Sequence, residues 1–162
     1  MKPRSVAARL PNACLPGADW ADCYELLFLG ERMTAHEAAR RALGSAPRWI
    51  RSLLALRNRV VAPLGLKAGA PSGDVSLVGA FPILSGSDRE MVLGLDDRHL
   101  DFRIVVEVHD GPADSQVIGV TTLVRRRNLF GYFYLAAITP FHKAIVPALL
   151  AQVNEPARRP VS

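Results

Sequence analysis

Five polar residues stand out as candidates for chemistry: Arg57, Asp97, Asp101, Tyr134 and His142. His142 falls near the centre of an apolar stripe formed at helical spacing by Phe141, Ile145, Val146, Leu149, Leu150 and Val153. Arg57 falls in the middle of the apolar face of another helical stretch, among Ile50, Leu53, Leu54, Val60 and Val61, at ~100° per residue. An unpaired buried charge is strongly destabilising, so an inward Arg57 must meet a carboxylate, whereas an outward one packs its stem and carries its guanidinium to water. Asp97 and Asp101 bracket a charged corner, Asp97-Arg98-His99, between two strand-like stretches.

These residue types support three uses. Gathered at one end of an apolar space, they would orient the polar head of a small apolar ligand. A carboxylate held there by Arg57 or His142 would have its charged form favoured. As an enzyme, His142 would be the general acid or base, with Asp97 or Asp101 orienting it, in a cyclisation, dehydration or hydrolysis. As an interaction module, Arg57, Asp97 and His142 would only fix helix on sheet. The chain has no Gly-x-Ser-x-Gly elbow, phosphate loop or dinucleotide fingerprint, and no paired His/Cys metal spacing. No cofactor or metal is therefore expected, and beyond His142 no catalytic residue is proposed.

The elements that must position these groups follow from periodicity. Residues 90–95 place Met91, Leu93 and Leu95 on one side; residues 100–108 place Leu100, Phe102, Ile104, Val106 and Val108 on one side and Asp101, Arg103 and Glu107 on the other. They read as a hairpin whose corner lies at residues 96–99. Residues 116–127 alternate similarly, with Ile118, Val120, Thr122 and Val124 sharing a face. Before the hairpin, residues 19–29 predict a first strand. Thr34 followed by Glu37 is a capping box for a helix stopped by Gly44, and Pro47 suits the first turn of a second helix running to Val61. Residues 64–74 form a Gly/Pro/Ser connector, and residues 75–85 a strand that Pro82 confines to an edge or bulge. From Leu129 the period becomes helical, with a kink predicted at Pro140 and another at Pro147.

A strand, two helices, a run of hairpin-connected strands and a final helix predict an α+β fold with an antiparallel sheet. The 162 residues predict one domain over 19–153, flanked by an N-terminal tail, 1–18, and a C-terminal tail, 154–162. No charge-free apolar run reaches the length of a bilayer span, and no apolar core follows Lys2, Arg4 and Arg9, so neither integral membrane insertion nor a secretory signal is expected. The expected location is cytoplasmic. The formal charge of +5 comes from scattered arginines without interleaved aromatics, which reads as a solvated surface and not a nucleic-acid interface. Cys14 and Cys23 read as unpaired thiols. Nothing in the sequence states an oligomeric state.

Leu56-Arg57-Asn58, Gly94-Leu95-Asp96-Asp97 with His99-Leu100-Asp101-Phe102-Arg103, Gly131 with Tyr134, and Pro140-Phe141-His142-Lys143-Ala144-Ile145-Val146 together resemble the bacterial family called domain of unknown function 2867. The likeness runs from about Asp19 to Val153. That family looks related to the helix-grip superfamily of START domains, polyketide cyclases and the birch-pollen allergen. The resemblance implies a curved antiparallel sheet wrapped around a long C-terminal helix, with two short helices after the first strand. Here the sheet reads as a strand or two short of the usual seven, with residues 66–74 able to hide one. It implies no activity, and a function taken from fold alone is analogy. On this reading the ligand-binding residues are Arg57, Asp97, Asp101, Phe102, Tyr134, Phe141 and His142, and the partner is a small lipid-, steroid- or polyketide-like molecule.

Overall fold

The computed structural model describes residues 1–44, 46–64 and 76–155, without the side chains at 53, 54, 56–58, 60, 61 and 64. In chain order the elements are β1 (Arg4–Val6), β2 (Trp20–Phe28), α1 (Ala35–Leu43), α2 (Arg48–Val61), β3 (Leu77–Val78), β4 (Phe81–Gly86), β5 (Glu90–Asp96), β6 (Leu100–Asp110), β7 (Gln116–Arg126) and α3 (Leu129–Ala151). The strands form one curved antiparallel sheet in the order β1-β2-β7-β6-β5-β4-β3. Chain neighbours pair as hairpins from β3 to β7, and the sheet then closes back on β2.

Among the described residues two strands lie beyond the expected five, each with a local cause; residues 66–74, expected to be able to hide one, lie outside the described residues. The stretch read as a single strand before the hairpin is broken at Gly79, whose φ of +61° reverses the chain between β3 and β4. A Cβ there would lie 2.4 Å from the Leu43 carbonyl oxygen, so both the conformation and the space demand glycine. Pro82 faces only the two-residue edge strand β3, which respects its lack of an N–H. The other strand, β1, lies in the segment read as a patternless tail. Three residues are too short to show a period, and they gain their order by pairing with Cys23–Glu25 of β2.

One face of the sheet, called inner here, carries the main core. Leu26, Leu93, Val106 and Ile118 are fully buried on it beneath Leu150 at the end of α3 and Val153 in the turn just beyond it. Helix α1 joins this layer through Ala35, Ala38, Ala39 and Ala42, all buried, and side chains this small let the helix pack closely. Its start is capped as expected, with the Glu37 N–H donating to Thr34 Oγ1 at 3.2 Å. Each large apolar side chain removed from water in this layer contributes about 1.5–3 kcal/mol.

The opposite, outer face is also partly covered. Val92, Val105 and Leu123 meet there across three strands, and Leu15, 2 % exposed, packs on them with Cys14, Ala18 and Ala21 beside it. The N-terminal segment therefore belongs to the packed structure as a strap over the sheet.

Helix α3 is continuous from Leu129 to Ala151, with Pro140 and Pro147 both inside it and the Thr139 hydroxyl donating to the Leu135 carbonyl at 2.6 Å. Its first turn is set by Asn128, whose Oδ1 accepts from the Gly131 N–H at 3.1 Å. A Cβ on Gly131 would stand 2.3 Å from the His99 carbonyl oxygen. The helix can start against the β5–β6 corner only because residue 131 is glycine.

Candidate functional site

On the inner face, two rows of side chains cross the sheet near the start of the final helix. Pairing places Trp20 beside Val124, Val124 beside Phe102, and Phe102 beside Leu95; the next row runs from Asp22 through Thr122 and Ile104 to Leu93. Leu135, Tyr134 and Ile138 of α3 pack over the first row. Phe81 meets the Phe102 ring edge-on, with centroids 5.9 Å apart. Leu95, Phe102, Ile104, Phe81, Tyr134 and Ile138 are only half-buried, whereas the inner face around Leu26, Val106 and Leu150 is closed. The sheet and helix thus leave an apolar end with incomplete cover.

At the β2 side of this end, His142 Nε2 lies 3.1 Å from both Oδ1 and Oδ2 of Asp22. The side chains are 19 % and 13 % exposed. Trp20 contacts the imidazole edge-on at 5.6 Å, which helps fix the ring plane. One N–H cannot fully satisfy two carboxylate oxygens, and Asp22 Oδ2, fully buried, has no hydrogen-bond partner of its own. A carboxylate bound to one imidazole nitrogen sets the tautomer and leaves Nδ1 as the nitrogen available for other work.

The partner of His142 is therefore Asp22, and neither Asp97 nor Asp101. Asp22 carried a readable signal: it shares the even-numbered face of β2 with Trp20, Tyr24, Leu26 and Phe28. A lone carboxylate on an apolar strand face requires a partner.

Asp101 is on the outer face, as strand alternation requires, and cannot reach the space between sheet and helix. It is fully buried and accepts from Arg125 Nε at 2.9 Å, Arg125 Nη2 at 2.7 Å and Arg127 Nε at 3.0 Å. The same Arg125 donates through Nη1 to the Pro16 carbonyl at 3.1 Å, tying the strap to this cluster. Nearby, Arg103 Nη1 binds Asp96 Oδ1 at 2.7 Å, and that hydrogen bond holds the Asp96 carboxyl below its ordinary value of 3.8.

Asp97 lies in the corner between β5 and β6, where its Oδ1 accepts from the Arg98 N–H at 2.6 Å. Asn128 Nδ2 donates to the Arg98 carbonyl, so this corner sits at the start of α3, about 20 Å of helix rise from His142. Phe102 and Tyr134 do line the half-open end, and Tyr134 stacks on Phe130 at 6.4 Å. Phe141, expected among the ligand-binding residues, instead points away from the core at 55 % exposure, as does Phe133 at 74 %. An apolar stripe alone does not say which flank of a wide apolar helix meets the sheet. The side chain of Arg57 lies outside the described residues.

Elsewhere, a shallow depression of ≈ 180 Å³ is lined by polar groups including Arg32, Arg89, Asp88, Asp110 and Gln116. Its two arginines already share Asp110, at 2.5 and 3.3 Å, and Arg32 holds that carboxyl below its usual range. Cys14 and Cys23 are free, and burial pushes both thiols up, away from nucleophilic reactivity. Among the described residues no three His, Cys, Asp or Glu side chains converge as a metal site.

Residues 14–149 match the family described as protein of unknown function (DUF2867), and the chain belongs to that family. Neither the curated proteins nor the solved structures compared with it gave a match.

Proposed function

We propose that this DUF2867 chain has a helix-grip, START-like architecture and binds a small, mostly apolar molecule between the inner sheet face and α3. Two helices after the first long strand and a long helix closing the chain support the architecture. The ligand reading rests on one observation: the half-buried apolar rows around Phe102, Ile104 and Ile138, with the His142–Asp22 pair at their margin. Apolar walls with a small number of placed polar groups are the usual make-up of a small-molecule site. The walls would supply affinity, and the pair would receive one polar group of the ligand.

Native mass spectrometry of the purified chain, followed by organic extraction, tests this. A reproducible one-to-one adduct that Phe102→Asp abolishes is the expected result. A clean apo mass, together with no change in Trp fluorescence on adding fatty alcohols or sterols, would overturn the proposal.

A second reading draws on the pair itself. Asp22 on Nε2 would let His142 act through Nδ1 as general base or acid on a bound molecule. His142→Gln separates the two: a binder loses ligand retention, while an enzyme keeps the ligand and loses turnover.

A further inference from the structure

Helix α3 is apolar well beyond what the core uses. Within Leu129–Asn154 lies an 18-residue stretch apolar enough to cross a membrane by length and composition, yet only 11 % of it is buried. Lys143 interrupts the run, which is why a search for charge-free segments passes over it. Spanning a bilayer would tear the fold apart, because Gly131 seats the start of the helix on the His99 carbonyl and Leu150 is fully buried in the core near its end. The exposed apolar surface lies along the first four turns. Leu129 is 77 % exposed, Phe133 74 %, Phe141 55 % and Tyr132 46 %, with Ala137 and Pro140 exposed between them. At ~100° per residue all six fall within about half the helix circumference.

The charges around this stripe are mostly positive, with Asp19, which accepts from the Tyr132 hydroxyl at 3.2 Å and pairs with Arg126, set against its first turn. No Asp or Glu occurs between Leu129 and Asn154, and Lys143, exposed, is on the same side as the aromatics. At the helix start Arg98 is exposed, the Arg126 guanidinium sits 4.0 Å from the Tyr132 ring centroid while paired with Asp19, and Arg127 is engaged by Asp101 on the outer face. An exposed apolar helix face with aromatic residues and a cationic margin is complementary to the headgroup region of an anionic bilayer.

We propose that the exposed face of α3 docks on anionic lipid, the helix lying in the plane of the headgroups with Phe133 and Phe141 inserted. Flotation of the full chain with phosphatidylcholine vesicles, and with vesicles also containing phosphatidylglycerol, tests it. The intact chain should float with the mixed vesicles and partition less to the neutral ones. Phe133→Asp and Phe141→Asp should each lower partitioning about tenfold with unchanged thermal melting, since neither side chain is in the core. Lys143→Glu should weaken binding to the mixed vesicles about fivefold and change binding to the neutral ones less. Equal partitioning of the intact chain and the Phe variants, or none to mixed vesicles, would overturn the proposal. So would a sedimentation-defined dimer that Phe133→Asp splits, which would give the face to a second copy.

Discussion

Asp101 and Asp22 are both carboxylates withdrawn from water, on opposite faces of the same sheet, and they are treated very differently. Asp101, fully buried, is held by two guanidiniums whose donors reach both its oxygens. Asp22, slightly exposed, has one imidazole and an oxygen with no donor of its own. The first is a completed charge cluster that locks a corner of the sheet to the N-terminal strap through Pro16. The second keeps unused hydrogen-bonding capacity beside a half-open apolar surface. Burial of a charge alone does not mark function; what distinguishes the two is whether the protein has finished satisfying it.

Removing Asp101 should have the largest effect. Asp101→Ala leaves Arg125 and Arg127 facing each other without their shared anion, and should cost about 3 kcal/mol. That is the low end for a buried pair, because both arginines reach solvent. A urea denaturation loss below about 0.5 kcal/mol would remove the contrast between the two faces.

Leu15→Ala tests the strap that the Asp101 cluster anchors. It opens a gap over Val92, Val105 and Leu123 and should cost about 2 kcal/mol in the same denaturation measurement. If stability does not change, the outer-face packing has no structural weight.

Asp22→Asn and His142→Gln should each cost only about 1 kcal/mol, near the net worth of one hydrogen bond. Their main effect is expected on ligand retention, and a larger loss of stability than Asp101→Ala would invert the comparison.

The smallest effect concerns acid. Asp96 titrates below 3.8 in the folded chain because Arg103 binds its ionised form. Its stabilising contribution is therefore complete above that value and is lost as pH falls through the lower folded value. Asp96 is 56 % exposed, so the contribution is under about 1 kcal/mol. Asp96→Asn should flatten the acid limb of a stability-against-pH curve; an unchanged limb would show that the Arg103 pair is not formed in solution.

Much of the fold was legible in the residues. Alternation in Leu100–Asp110 and Gln116–Arg126 set the register faces, Thr34 and Glu37 marked the start of α1, and Gly44 its end. These signals are local: each depends on neighbours within a turn or on the two-residue strand period. The same alternation already excluded Asp101 from the inner face, and placed Asp22 among the apolar residues of its strand.

Tertiary structure decided what local pattern cannot encode. Arg4–Val6 is a strand only because β2 offers an edge to pair with, and Leu15 is core only because three strands bring Val92, Val105 and Leu123 together. The pairing of His142 with Asp22 spans 120 residues. Which flank of α3 is buried was decided likewise: a helix apolar nearly all round has little directional preference, so the sheet it meets selects the inner side and leaves Phe133 and Phe141 outside. Sequence specified the periods and the stops; the long-range pairings, which arise only when the sheet closes, chose the partners.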